Sequence, residues 1–172
     1  SLIVPAVESS SLLWPEGETV TSINSQLQKV VDDIMLADKS AGLDTRALLV
    51  VKDGNILAEA YGAGFDQTTP ILGWSMGKSL TAIMLGHAAM KQKIDLNSTQ
   101  LFDLWTGDSR NSISLINLLQ MSSGLAFDEN YIPGTDATRM LFLEASTSEY
   151  PLNKPLIYPV GEHFYYSSGT TN

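Results

Sequence analysis

The 172-residue chain contains no cysteine, which excludes disulfides and thiolate chemistry but leaves the redox compartment open, since a chain without thiols suits either. Histidine is scarce too: His87 and His163 are the only two. They lie far apart, with no HExxH spacing and no carboxylate arranged beside them, so both read as structural and no metal site is expected. Basic residues are outnumbered. Ten Lys plus Arg against nineteen Asp plus Glu give a formal charge of −9, and a surface of that sign repels DNA or RNA, so nucleic acid is not expected as a partner. No apolar run approaches the stretch of about eighteen residues that a membrane-spanning helix requires. Ser1 to Gly17 has no basic residue followed by an apolar run, so no signal peptide stands in the sequence as given.

What is present has the texture of a globular chain. Residues 1–20 mix Pro5, Pro15 and Gly17 with serines and scattered apolar residues, suiting an irregular arm. From Ser22, Ile23, Leu27, Val30, Val31 and Ile34 recur at three- and four-residue steps, which predicts an amphipathic helix ending near Lys39 to Gly42. Ala47–Lys52 and Asn55–Tyr61 read as strands, and Asp53-Gly54 between them tolerates the positive φ angles of a tight hairpin turn. Gly62 to Pro70 reads as loop. Ser75 to Lys91 carries Leu80, Ile83, Met84, Leu85 and Ala88 without an internal proline and predicts a helix whose first turn bears Ser75. Beyond Lys93 the pattern is helix and loop: a short capped helix over Ser112 to Met121 closed by Gly124, another over Asp136 to Ala145, then an irregular, proline-punctuated stretch to Phe164-Tyr165-Tyr166-Ser167-Ser168. The expected organisation is an arm, helix, hairpin and helix over 1–93, and a mainly helical region over 94–172.

Gly73-Trp74-Ser75-Met76-Gly77-Lys78-Ser79 touches three signatures. A phosphate-binding P-loop needs four residues between its first glycine and Gly-Lys-Ser, and here there are three. The G-x-S-x-G elbow of α/β-hydrolases is matched by Gly73 to Gly77, but Pro70 stands where that fold needs a continuous apolar strand, and no His-Gly pair is present to build the oxyanion loop. The third signature is S-x-x-K, met by Ser75 and Lys78. Three residues apart on a helix, the two side chains share a face, so the nitrogen can reach the hydroxyl. Placement at a helix N-terminus adds N–H groups and a positive dipole end that favour a developing oxyanion. The bland reading is an N-cap serine and a solvated lysine, because about one S-x-x-K arises by chance in a chain of this size. Tyr166, in a polar loop, is ordinarily a packing residue; set beside Ser75 and Lys78 it becomes a candidate base.

With these residues in place, the chain resembles the serine β-lactamase-like hydrolases, in the branch grouping class C β-lactamases, D,D-peptidases, esterases and 6-aminohexanoate-dimer hydrolases. The likeness runs through the Asp53-Gly54 hairpin, Trp74 to Ser79, Leu118-Leu119-Gln120-Met121-Ser122-Ser123-Gly124-Leu125, and Pro159-Val160-Gly161 through Tyr166-Ser167-Ser168-Gly169-Thr170-Thr171-Asn172. It implies an α+β fold of the β-lactamase and penicillin-binding-protein type, an antiparallel sheet with flanking helices plus a mainly helical region. It implies that Ser75 attacks an acyl carbonyl while Lys78 and Tyr166 relay its proton, without metal or organic cofactor, on a small-molecule amide or ester. Trp74 and Ser168 are the residues expected to contact that substrate. Ser168 stands where β-lactamases of this branch have asparagine, and a hydroxyl cannot imitate both ends of an amide, so the amide and ester hydrolases of the group are the better match. The family's third motif, Lys or His followed by x-Gly on an edge strand, has no counterpart before Asn172. The chain is therefore expected to be a fragment, its partner a C-terminal remainder supplying the missing strands, and the resemblance favours a bacterial periplasmic or secreted setting. A relative that only binds a peptide or cell-wall ligand is the competing expectation.

Overall fold

The computed structural model describes residues 10–20 and 22–171. Residues 1–9 of the expected arm and the terminal Asn172 lie outside the described residues, and residues 10–20 fold into a tight loop in which Trp14 N–H donates to Thr19 O at 3.0 Å. The chain divides into two compact units, one ending at Ile71 and the other beginning at Leu72.

In the first unit, helix α1 spans Ser25–Ser40. It starts three residues later than the apolar pattern suggests, because the Asn24 side chain accepts from Gln26 N–H and Leu27 N–H and so fixes the cap there. Strands β1 (Ala47–Lys52) and β2 (Asn55–Tyr61) pair antiparallel, Lys52 opposite Asn55 across the turn. Asp53 and Gly54 both take positive φ, 49° and 72°, the geometry that lets a two-residue turn follow the strands' twist. Register breaks between Val50, opposite Ala58, and Val51, opposite Ile56, so Leu57 is an extra residue.

Helix α1 closes the outer edge of β2 through one side-chain amide. Gln28 Nε2 donates to Glu59 O at 2.8 Å while its Oε1 accepts from Glu59 N–H at 3.2 Å, the pair of bonds that a neighbouring strand would make. Asn24 N–H adds a bond to Leu57 O at 2.7 Å. This clamp turns Leu27, Gln28, Val31 and Met35 inward; Val31 is buried, as are Ile56 and Ala58 of β2. Ile23, Val30 and Ile34 from the predicted stripe remain exposed, since the hairpin spans only one side of the helix.

In the second unit, α2 runs Met76–Met90, α3 Leu115–Leu119, α4 Asp136–Phe142 and α5 Glu149–Leu152. Helix α3 is shorter than its apolar run: Ser114 caps it reciprocally with Asn117, and Met121 at φ 56° turns the chain away before Gly124 is reached. Trp105, Ile113 and Leu125 form one core with Leu118, Leu152, Leu156 and Val160 against them; Phe127, Ala137 and Met140 form another with Tyr150. The Trp105 indole N–H donates to Leu152 O at 2.9 Å, and Arg110 Nη1 donates to the carbonyls of Leu152 (2.8 Å) and Lys154 (3.1 Å). These bonds anchor the irregular segment after α5. Among the described residues no helix is long and apolar enough to cross a membrane.

Candidate active site

Ser75 stands at the head of α2. Trp74 before it takes φ 43°, a left-handed conformation that costs a non-glycine residue about 1 kcal/mol and turns the chain sharply into the helix. Ser75 itself has helical angles and its side chain makes no capping hydrogen bond, so Oγ is not committed to the N-cap role that the bland reading gives it. The N–H groups of Met76, Gly77 and Lys78 each donate to a carbonyl three residues back, whereas Ser75 N–H has no acceptor among the described residues. Lys78, one turn on, brings Nζ to 3.5 Å from Ser75 Oγ.

Tyr166 reaches the same oxygen from 91 positions downstream, its hydroxyl 2.7 Å from Ser75 Oγ. The delivery is backbone work. The stretch after α3 pairs with the stretch after α5: Ala126 N–H donates to Pro155 O (2.8 Å), Ile157 N–H to Gly124 O (2.9 Å), Gly161 N–H to Ser122 O (2.8 Å) and Tyr165 N–H to Met121 O (2.8 Å). With Tyr165 pinned to Met121, the next side chain faces α2. Lys78 Nζ lies 5.2 Å from the centre of the Tyr166 ring, so the three groups form one cluster.

Ser168 joins this cluster from beneath rather than from the solvent side. It is 6% exposed, its Oγ accepts from Lys78 Nζ at 3.1 Å, and it donates to Glu129 Oε1 at 2.6 Å. Its one hydroxyl proton is thereby committed, leaving none to donate to a substrate in this arrangement. Trp74 is 65% exposed and meets Tyr131 edge to face at 6.5 Å, forming an open aromatic wall beside Ser75.

Glu129 is the residue that the sequence did not disclose. Its carboxylate takes the Ser168 N–H (2.7 Å) and hydroxyl (2.6 Å), and Tyr131 donates to it at 3.2 Å. The loop bearing it is closed by Asp136, which accepts from Asp128 N–H at 2.9 Å, from Tyr150 at 2.6 Å and from Lys154 at 2.5 Å. Partial burial pushes the Asp136 carboxyl up, but Lys154, Tyr150 and the Asp128 N–H together outweigh it and hold the group below the usual carboxylate range. Lys154, which the same burial would lower, is held above its ordinary value by Asp136 and Tyr150.

Two other readings of the heptapeptide meet this geometry differently. An α/β-hydrolase elbow follows a strand, but residues 70–73 form none. Of the histidines, His163 stacks on Tyr158 at 4.2 Å and His87 lies exposed in the last turn of α2. Among the described residues no group of three or more His, Cys, Asp or Glu is placed to hold a metal ion.

Residues 28–172 match the family model described as Beta-lactamase, and the chain belongs to that family. Its fold is the mixed α+β arrangement of the family, here with a two-stranded antiparallel sheet and helices. A solved structure of a Bacillus anthracis protein assigned as a 6-aminohexanoate-dimer hydrolase is similar with a TM-score of 0.62 at 21% sequence identity. The match takes in 79% of this chain and 40% of the other, so the chain spans well under half of that neighbour's length. A comparison with curated proteins finds no match.

Proposed function

We propose that the protein is a serine hydrolase that cleaves an amide or ester bond through an acyl-Ser75 intermediate. The observation that carries this reading is the convergence of Lys78 Nζ, at 3.5 Å, and Tyr166 Oη, at 2.7 Å, on an Oγ that makes no capping bond. Membership of the Beta-lactamase family supports it.

In this mechanism Ser75 Oγ bonds to the carbonyl carbon while its proton passes to the Lys78–Tyr166 pair, one member of which carries a free electron pair at that moment. The oxygen that becomes negative faces the head of α2, where the Ser75 N–H has no acceptor among the described residues. Collapse breaks the C–N or C–O bond, and Tyr166 returns the proton to the departing nitrogen or oxygen. A water molecule then attacks the acyl carbon and gives its proton to the same pair; as the C–Oγ bond breaks, the pair passes that proton to Oγ, releasing a carboxylic acid and restoring the Ser75 hydroxyl. Trp74 and Tyr131 offer the substrate an apolar wall, and Ser168 acts through Lys78 rather than on the substrate.

The test is Ser75→Ala in the full-length protein, assayed on p-nitrophenyl acetate, a chromogenic cephalosporin and a short linear amide. Hydrolysis of whichever is turned over should fall by about 10³-fold or more, as when a nucleophile that works as a unit with its base is removed. Turnover retained by the alanine variant would remove Ser75 from the reaction.

A further inference from the structure

Glu129 takes no part in the steps above, yet it is joined to Lys78, the neighbour of the nucleophile, by two hydrogen bonds in series. Ser168 Oγ sits between them, 3.1 Å from Lys78 Nζ and 2.6 Å from Glu129 Oε1, and the second carboxylate oxygen holds the Ser168 N–H at 2.7 Å. We propose that Glu129 is a positioning residue that acts through Ser168 to keep the electron pair of Lys78 directed at Ser75, an inference that rests on the hydrolase reading.

The direction in which the Ser168 hydroxyl points decides what Lys78 can do. A serine hydroxyl has one proton and rotates to suit its surroundings. In the step where Lys78 is the member of the pair that takes the Ser75 proton, an unrestrained Ser168 would donate to Nζ and occupy the electron pair that the step needs. A carboxylate accepts only, so Glu129 draws that proton away and leaves Ser168 to present a lone pair to Lys78. Once Lys78 has taken the Ser75 proton, the same polarised oxygen receives the new ammonium N–H more strongly than an isolated hydroxyl does. Lysine is long and rotamer-rich, so this tether also fixes where Nζ waits; it lies closer to Ser168 (3.1 Å) than to Ser75 (3.5 Å). The backbone bond to Ser168 N–H sets the register of the Tyr166-Ser167-Ser168 segment against the Glu129 loop.

The test uses a fluorophosphonate probe on the full-length protein, following loss of fluoride as Ser75 Oγ bonds to phosphorus and reading the maximal rate kinact separately from the half-saturating concentration KI. Glu129→Gln keeps the shape but replaces one acceptor oxygen with a donor; it should lower kinact by about 10- to 100-fold, the scale of a misplaced reacting group. KI should change less than about threefold, and the thermal midpoint should stay with the parent, since the altered contact lies in the transfer path rather than the core. Ser168→Ala should give a similar loss, and the double variant should be no slower than the slower single one, because both cut the same link. If Glu129→Gln fails to fold, Ser168→Ala decides alone. Parental kinact in either variant, losses that multiply in the double variant, or a loss confined to KI would overturn the proposal while leaving the hydrolase reading intact. Ser75→Ala run in parallel separates the two: an adduct that persists there removes both.

Discussion

Gly124→Ala is the substitution whose cost can be worked most fully from the structure. Gly124 has φ +78°, and a Cβ built on it would clash with the carbonyl oxygen of Tyr158, with Leu156 Cδ2 at 3.2 Å. The left-handed conformation alone costs an alanine about 1–2 kcal/mol. Because the obstruction is backbone, no rotamer change relieves it, and residues 156–158 must retreat. That retreat loosens the bonds that Ile157 N–H (2.9 Å) and Tyr158 N–H (3.3 Å) make to Gly124 O, worth about 1 kcal/mol each. The sum is about 3–4 kcal/mol. The same displacement propagates along the ladder that ends at Tyr165 and Met121, so Tyr166 should lose its place beside Ser75. Urea unfolding of the purified chain should show the stability loss, and the full-length variant should react with a fluorophosphonate at least about tenfold more slowly. A variant within about 0.5 kcal/mol of the parent, the range of an ordinary surface change, would refute both the close approach and the reasoning that ties it to the site.

Two further outcomes follow from groups around the site. Tyr166→Phe removes the hydroxyl 2.7 Å from Ser75 Oγ and should slow probe addition by about 10²-fold or more with little change in stability, which kinetic labelling and a thermal melt together check. Asp136→Asn should cost about 1–2 kcal/mol at pH 7, a buried-pair cost reduced because the two side chains are 20% and 22% exposed. The sign of its pH dependence is set by the lowered Asp136 carboxyl: its contribution is fully present above the ordinary carboxylate value of about 4 and is lost as pH falls through the lower folded value. Unfolding at pH 7 and pH 3 should therefore show parent and variant converging in acid, and an unchanged gap would contradict the ion pair.

Much of the first unit was legible because its signals are local. Asp53-Gly54 between two apolar runs specified the turn, and both residues do take positive φ. The extra residue Leu57 was hidden, since a bulge changes pairing without altering composition. Helix ends depended on side-chain competition: Asn24 moved the start of α1, and Met121 closed the turn after α3 in a conformation that sequence alone assigns to Gly124. The site was legible in proportion to how local it is. Ser75 and Lys78 share one helical turn, and Tyr166 was singled out by motif order, but its approach depends on backbone pairing between residues 29 to 44 positions apart. Ser168, expected from the motif as a substrate contact, is hydrogen-bonded between Lys78 and Glu129. Glu129 lay in a stretch, Asp128-Glu129-Asn130, with no spacing or periodicity to separate it from any solvated acidic loop; only the fold reveals which acid a buried hydroxyl needs.

The central claim is that Ser75 forms the covalent bond. Brief exposure of the full-length protein to a fluorophosphonate, followed by acid quench, trypsin digestion and tandem mass spectrometry, tests it at the residue. The peptide Asp53–Lys78 contains Ser75 as its one serine, and the account predicts the added mass on that residue alone, absent after heat unfolding. An adduct on another side chain, or hydrolysis that proceeds with Ser75 never modified, would contradict it.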